Sequence, residues 1–311
     1  MAFVVIALGA WTRLVDAGLG CPDWPGCYGF VFWPNDEVEI ALAESRFPMF
    51  PYDINKAIPE QVHRLFAAAL GLVAILLVYL SFSRTDDKSI KRWSLFLLIL
   101  ICCQGLFGYL TVSLNLLPII VTTHLFGGFA TLTLFYFIFL KSRNFEIFNK
   151  INISNLKHIS AIAIVVLIFQ IFLGVWTSTN YASLACADFP TCQGSYFPEM
   201  DFKNGFNLNQ EVGPNYLYGL LDNPARVAIH YTHRVSAILV TFIFQILMSR
   251  LWFSDAAPLA STLGILLLTQ ITLGIINVVY VLPLYVAISH NLVAACLLLA
   301  TFTVNYLAWK K

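Results

Sequence analysis

Charge is what this 311-residue chain has least of: Asp, Glu, Lys and Arg together make up 11% of it, against about 25% in an ordinary soluble domain. Too little polar surface is available to cover a compact globule of this length. With 59% hydrophobic residues and a mean hydropathy of +0.77, most of the apolar surface must face lipid. The deficit excludes a water-soluble globule, a disordered chain and a secreted protein. The near balance of 18 Lys and Arg against 17 Asp and Glu leaves no basic excess for nucleic acid.

What the sequence does have is long apolar runs. A bilayer core about 30 Å thick takes about 20 helical residues and tolerates no irregular backbone facing lipid. Eight runs lie near 1–13, 60–82, 93–114, 117–140, 158–179, 225–249, 256–280 and 284–308. The first is too short to cross, so Met1 is read as a misplaced start, the chain as a fragment, or the helix as a stub. Arg13 stands where a signal peptide would carry small cleavage-site residues, which argues against cleavage.

The segments 83–92, 141–157, 250–255 and 309–311 carry eleven of the basic residues, among them Arg84, Lys150, Arg250 and Lys311, and are expected to be cytoplasmic. The loops 14–59 and 180–224 are long and acidic, while 113–118 and 281–284 are nearly chargeless. These four go outside, giving eight crossings with both termini in the cytoplasm of a bacterium's plasma membrane.

The chain also repeats itself. Leu8-Gly9-Ala10-Trp11-Thr12 returns as Leu173-Gly174-Val175-Trp176-Thr177. Cys21, Asp23, Pro25, Cys27 and Gly29 map onto Cys186, Asp188, Pro190, Cys192 and Gly194, and Gln104, Gly108, Pro118 and His124 onto Gln270, Gly274, Pro283 and His290. The expected fold is therefore all-α and integral to the membrane. Its eight transmembrane helices form two four-helix bundles related by a pseudo-twofold along the membrane normal. The units are 1–140 and 158–311, joined by a cytoplasmic linker at 141–157.

Each unit offers two histidines near the outer ends of different helices: His63 with His124, and His233 with His290. An imidazole pair with no Cys, Asp or Glu at ligand spacing suits the axial positions of a haem better than zinc. A lone intramembrane histidine more often bonds a neighbouring helix, but four in repeat-related places favour a cofactor. His158 has no repeat partner and reads as a surface residue. Arg64 and Arg234 follow His63 and His233 directly, as cations for haem propionates or as snorkelling anchors. Arg13 faces Ser178 in the repeat, so any role it has belongs to the first unit alone. The duplication breaks at Glu60, one helical turn before His63, whose counterpart is His230. A helix-end charge is the plain reading; with the asymmetry, Glu60 marks the first unit for proton-coupled chemistry.

Cys21 and Cys27, like Cys186 and Cys192, sit six apart in outer loops, where disulfides persist. A local bridge in each loop is expected, although four cysteines allow three connectivities. A structural staple and exchange with a thiol partner are both open. Cys102, Cys103 and Cys296 read as packing residues within the membrane. Val38, Ala41, Leu42 and Ser45 fall on one face of a short helix after Asn35, either a lid on the membrane surface or solvated linker.

The combination of Gly-x-x-Thr-Arg-Leu at 9–14, Glu-x-x-His-Arg at 60–64, the paired-cysteine loops, Thr-His at 123–124, His-Arg at 233–234 and Ser-His-Asn at 289–291 resembles the heme A synthase family over nearly the whole chain. The resemblance implies oxidation of a methyl group of heme O to the formyl of heme A by successive hydroxylations with water as oxygen source, for cytochrome oxidase. It implies that His63 and His124 bind the substrate haem, with Arg64 and Arg13. His233 and His290 would bind a haem b cofactor, with Arg234, and Glu60 would be the functional acid. It also implies an electron acceptor, heme O synthase and oxidase assembly factors as partners, and a homo-oligomer. The short first helix, His230 and the length of the outer loops depart from the pattern. Two other classes compete: a dihaem b-type electron carrier that leaves its haems unmodified, with sites at both membrane faces, and a haem transporter or chaperone with no need of Glu60.

Overall fold

The computed structural model describes residues 1–143, 151–254 and 256–310; Lys150, Lys311 and part of the expected 141–157 linker lie outside them. Ten α-helices occur among the described residues: α1 (Ala2–Leu14), α2 (Glu37–Arg46), α3 (Ile54–Arg84), α4 (Lys88–Ser113), α5 (Pro118–Ser142), α6 (Lys157–Thr179), α7 (Phe202–Gly205), α8 (Asn223–Trp252), α9 (Ala257–Val279) and α10 (Leu284–Trp309). Helix starts follow side-chain chemistry. Asp36, Asp53 and Asp87 each cap a free backbone N–H of the helix that follows, as an N-cap carboxylate does.

Seven helical spans are long and apolar enough to cross a membrane: α3, α4, α5, Ser154–Thr179 with α6 inside it, α8, α9 and α10. The chain is an integral membrane protein. Only 6% of the apolar stretch of α4 is buried, so its Leu, Ile and Phe side chains are left for lipid. The eighth expected span, α1, has 13 residues, about 20 Å at the helical rise, and does not reach crossing length.

The chain divides into two compact units, Met1–Phe135 with Leu208–Leu220, and Tyr136–Asn207 with Leu221–Lys311. The division falls inside α5 and not at the expected linker, and it assigns part of the long 180–224 loop to the first unit. Tyr216 explains the assignment. It is buried with Leu116, Leu117 and Val121, and its backbone N–H donates to the Asn115 carbonyl at 3.0 Å. Asn115 in turn donates to the Gly213 carbonyl at 3.2 Å. In the first unit α3 begins at Ile54, six residues before the expected start, and runs through Pro59. Pro59 cannot donate along the helix, but its carbonyl accepts from Thr12 Oγ1 at 3.0 Å, tying α1 to α3.

The second unit has the denser core, with Trp176, Phe244, Leu247, Leu251, Leu263 and Leu297 fully buried. Trp176 Nε1 donates to the Gly205 carbonyl at 2.8 Å. Trp176→Phe keeps the packing and orphans that carbonyl, so a stability loss of about 1–3 kcal/mol is expected. Thermal melting in detergent measures it, and an unchanged midpoint would show the bond to be dispensable.

Candidate functional site

The backbone repeats where the sequence repeats. After α1, Asp16 takes φ 54° and Ala17 N–H donates to the Thr12 carbonyl; after α6, Tyr181 takes φ 53° and Ala182 N–H donates to Thr177. Both cysteine turns are closed locally, Cys21 to Cys27 and Cys186 to Cys192, which resolves the pairing left open by spacing. Within each turn one aspartate folds the chain. Asp23 accepts from Tyr28 N and Gly29 N at 2.6 and 2.8 Å, and Asp188 from Gln193 N and Gly194 N at 2.6 and 3.0 Å. The Thr191 hydroxyl, first, and then those N–H groups hold the Asp188 carboxyl down at about 2. Burial, followed by the nearby Tyr52, Glu60, Asp23 and Asp53, pushes Tyr28 up to about 12.

Arg64 and Arg234 are turned to these loops. Arg64 Nη1 donates to the carbonyls of Asp23 and Gly26 at 2.7 and 2.6 Å, and Nη2 to the Cys21 carbonyl at 3.4 Å and to the Glu60 carboxylate Oε1 at 2.6 Å. Arg234 does the same with Asp188, Thr191 and Cys186 at 2.9, 2.9 and 2.7 Å. A tight turn points several carbonyls the same way, and a guanidinium is the side chain with enough donors to satisfy them. Each arginine therefore fastens a disulfide turn onto its helix, a task the sequence reading did not foresee. Arg13 Nη1 lies 3.4 Å from Asp16.

Glu60 and His230 hold equivalent places. Glu60, 5% exposed, accepts from Cys21 N at 2.8 Å through Oε2 and pairs with Arg64 through Oε1. His230, also 5% exposed, accepts from Cys186 N at 3.4 Å and meets Arg234 Nε at 3.3 Å. The same scaffold position is thus anionic in one unit and an imidazole in the other. Arg64 is neutralised by an ion pair, whereas among the described residues Arg234 has no salt bridge.

The four histidines lie within the first eleven residues of α3, α5, α8 and α10. His63 and His124 are brought together with ring centroids 6.3 Å apart and planes at 85°. A metal–imidazole bond is about 2 Å and the centroid stands about 1 Å behind its nitrogen, so two rings on one metal have centroids about 6 Å apart. In the second unit His233 and His290 are close enough to interact electrostatically. Each ring is seated on a glycine of another helix. A Cβ added at Gly9, Gly174 or Gly274 would stand 3.0, 3.0 or 3.2 Å from Cε1 of His63, His233 or His290, and one at Gly108 would stand 3.5 Å from His124.

Nδ1 of His63, His124 and His290 is buried with no hydrogen-bond partner. His233 differs, since Gln170 Nε2 lies 3.1 Å from both its Nδ1 and its carbonyl. Two imidazole pairs, each ring seated against a glycine of a neighbouring helix, fit axial ligation of a haem. The glycines were visible in the sequence as repeat matches, but their use as seats was not.

The short helix expected after Asn35 is α2. Its buried residue is Ala43, packed with Cys21, Cys27, Tyr28 and Ala57, while Val38, from the expected apolar face, is 78% exposed.

The architecture defines a class: an integral membrane protein of duplicated helical units, each presenting a half-buried imidazole pair beside a disulfide turn. A profile of COX15-CtaA, described as cytochrome oxidase assembly protein, matches residues 1–302, and the chain belongs to this family. It is 41% identical to a heme A synthase of Shewanella oneidensis over 99% of this chain and 93% of the relative. A heme A synthase of Rickettsia prowazekii is 29% identical over 96% of this chain and 92% of its own length. One of Neorickettsia sennetsu is 25% identical over 94% and 91%.

The close seats carry a testable cost. A helical Gly→Ala change gains about 0.8–1.0 kcal/mol in propensity, while overpacking costs about 1–3 kcal/mol. Gly105, which has nothing within 4 Å of an added Cβ, should show the gain alone on substitution by Ala. Gly174→Ala, pressed onto His233, should melt lower than Gly105→Ala by the overpacking cost. Equal melting of the two variants would mean the seat is loose.

Proposed function

We propose that this protein is a heme A synthase that oxidises a methyl substituent of heme O to the formyl of heme A. The oxygen comes from water: methyl plus one water gives formyl, with four protons and four electrons released over two successive hydroxylations and a dehydration. The observation that carries the reading is the asymmetric duplication. Two imidazole pairs stand on the same scaffold, and only the pair at His63 and His124 has a carboxylate, Glu60, where the other has His230. The names of the relatives support the same reading.

In this assignment His63 and His124 hold the substrate haem, and His233 and His290 hold a resident haem b, which supplies a one-electron redox centre. Glu60 accepts protons leaving the substrate methyl. Its two oxygens are held by Arg64 and the Cys21 N–H, which fix where the carboxylate stands before reaction begins. Arg234, with no ion-pair partner among the described residues, leaves a positive charge to attract haem propionates in the second unit; Arg13 and Arg64 do so more weakly in the first, being paired with Asp16 and Glu60. The basic segments face the cytoplasm, so all four histidines lie toward the outer side of a bacterial plasma membrane. That one-sided placement disfavours a carrier with haems at both faces.

Glu60→Gln tests the assignment. It should leave haem b bound while heme A falls by about 10²–10⁴-fold, the range of a lost general base. His233→Ala or His290→Ala should instead remove or loosen the b-type haem. Haem extracted from membranes, scaled to protein amount, separates the cases: wild-type heme A in Glu60→Gln would end the catalytic assignment, and a normal low-spin spectrum in both histidine variants would end the cofactor assignment.

A further inference from the structure

The second histidines of the two units are treated differently by the glutamines beside them. In the C-terminal unit Gln270 Nε2 lies 3.2 Å from Nε2 of His290. In the N-terminal unit the repeat-related Gln104 makes no such bond to His124. Its amide occupies the space beside Gly127, on the same helix as His124. A Cβ built on Gly127 would fall 2.0 Å from Gln104 Nε2, 2.7 Å from Cδ and 2.9 Å from Oε1. No real Cβ tolerates those distances, so the amide can rest there only because residue 127 has no side chain. Gly127 follows His124 by three residues, and the residue three beyond His290 is Val293. Where the N-terminal unit leaves room for the Gln104 amide, the other unit therefore carries a β-branched residue.

We propose that Gly127 is a specificity-determining positioning residue: by parking the Gln104 amide it keeps Nε2 of His124 free for a haem that enters and leaves at every turnover. The inference rests on the reading of the N-terminal unit as the substrate site. At a resident site an amide held against the imidazole is displaced once, when the group binds. At a site that exchanges its ligand, the same contact would be broken and remade in each cycle and would compete with haem every time. The difference between Gly127 and Val293 places the competing amide on His290 and removes it from His124. The two otherwise duplicated pairs thus acquire different exchange behaviour without any change of ligand.

The test is a heme O titration of purified protein, with the spectrum of haem in the C-terminal unit as the measure of folding. Gly127→Ala, which forces Gln104 out of the notch, should weaken heme O binding about tenfold, the weight of one hydrogen bond. Gly127→Ala with Gln104→Ala should restore binding to near wild type, since nothing remains to be displaced. Gly128→Ala, with nothing within 4 Å of the new Cβ, should bind normally. Wild-type affinity in Gly127→Ala, or a double variant as weak as the single one, overturns the inference. The reciprocal change, Val293→Gly, covers a Gly127→Ala protein that fails to accumulate. It opens the notch to Gln270 and should speed loss of haem from the C-terminal unit to an apoglobin acceptor; an unchanged rate counts against the proposal. Heme O binding that survives His124→Ala would remove the site assignment itself, a result distinct from any of these.

Discussion

The contact of an imidazole edge with a bare helical backbone underlies both units. In a membrane, helices gain little from burying apolar surface against one another, because lipid is as apolar as leucine; close approach and polar contacts must hold them together. Gly9, Gly174 and Gly274 provide the approach, at Cε1 distances of 3.0 to 3.2 Å from the place a Cβ would take. A side chain at those positions would press on the ring or push the helices apart. The same seat that sets the helix spacing also turns each ring, so packing and ligand orientation are one requirement and cannot be altered separately.

The disulfide turns meet a second requirement of the same kind. A seven-residue turn beyond the end of a helix exposes carbonyls that cannot all reach water, and a buried carbonyl without a donor is costly. Arg64 and Arg234 supply the donors from within α3 and α8. Each arginine immediately follows a candidate ligand histidine, so a shift in the turn moves the helix segment that carries the ring. This links the disulfide turns to the imidazole pairs mechanically, and it explains why the Cys, Asp, Pro and Gly of the turn and the His-Arg of the helix recur together in both halves.

Much of this was legible in the sequence because it is periodic or duplicated. Apolar runs mark the spans, with boundaries off by a few residues; the largest error is at α3, which Asp53 caps so that it begins at Ile54, six residues upstream of the apolar run that marks the span. The histidines and the cysteine pairs stood out by repetition. What stayed hidden depends on which way a side chain turns. Arg64 could have snorkelled outward, and nothing in its neighbours' identities says that it reaches back 38 to 43 residues to a turn. The attachment of 208–220 to the first unit was equally silent, since Tyr216 is an ordinary loop tyrosine until Leu116, Leu117 and Val121 are seen around it.

Around the imidazole pairs, divergence between the halves changes charge while the turn and the ring seats recur. Glu60 and His230 both accept an N–H from the first cysteine of their turn and both meet the arginine one turn on, so the exchange preserves the scaffold while removing a negative charge from one unit. Gln104 and Gln270 are the same residue in the same register, yet Gln270 meets His290 while Gln104 lies against Gly127. Duplication followed by such replacements turns equal units into unequal ones: the glycine seats and the aspartate-folded turns recur in both, while a carboxylate beside one imidazole pair becomes an imidazole beside the other.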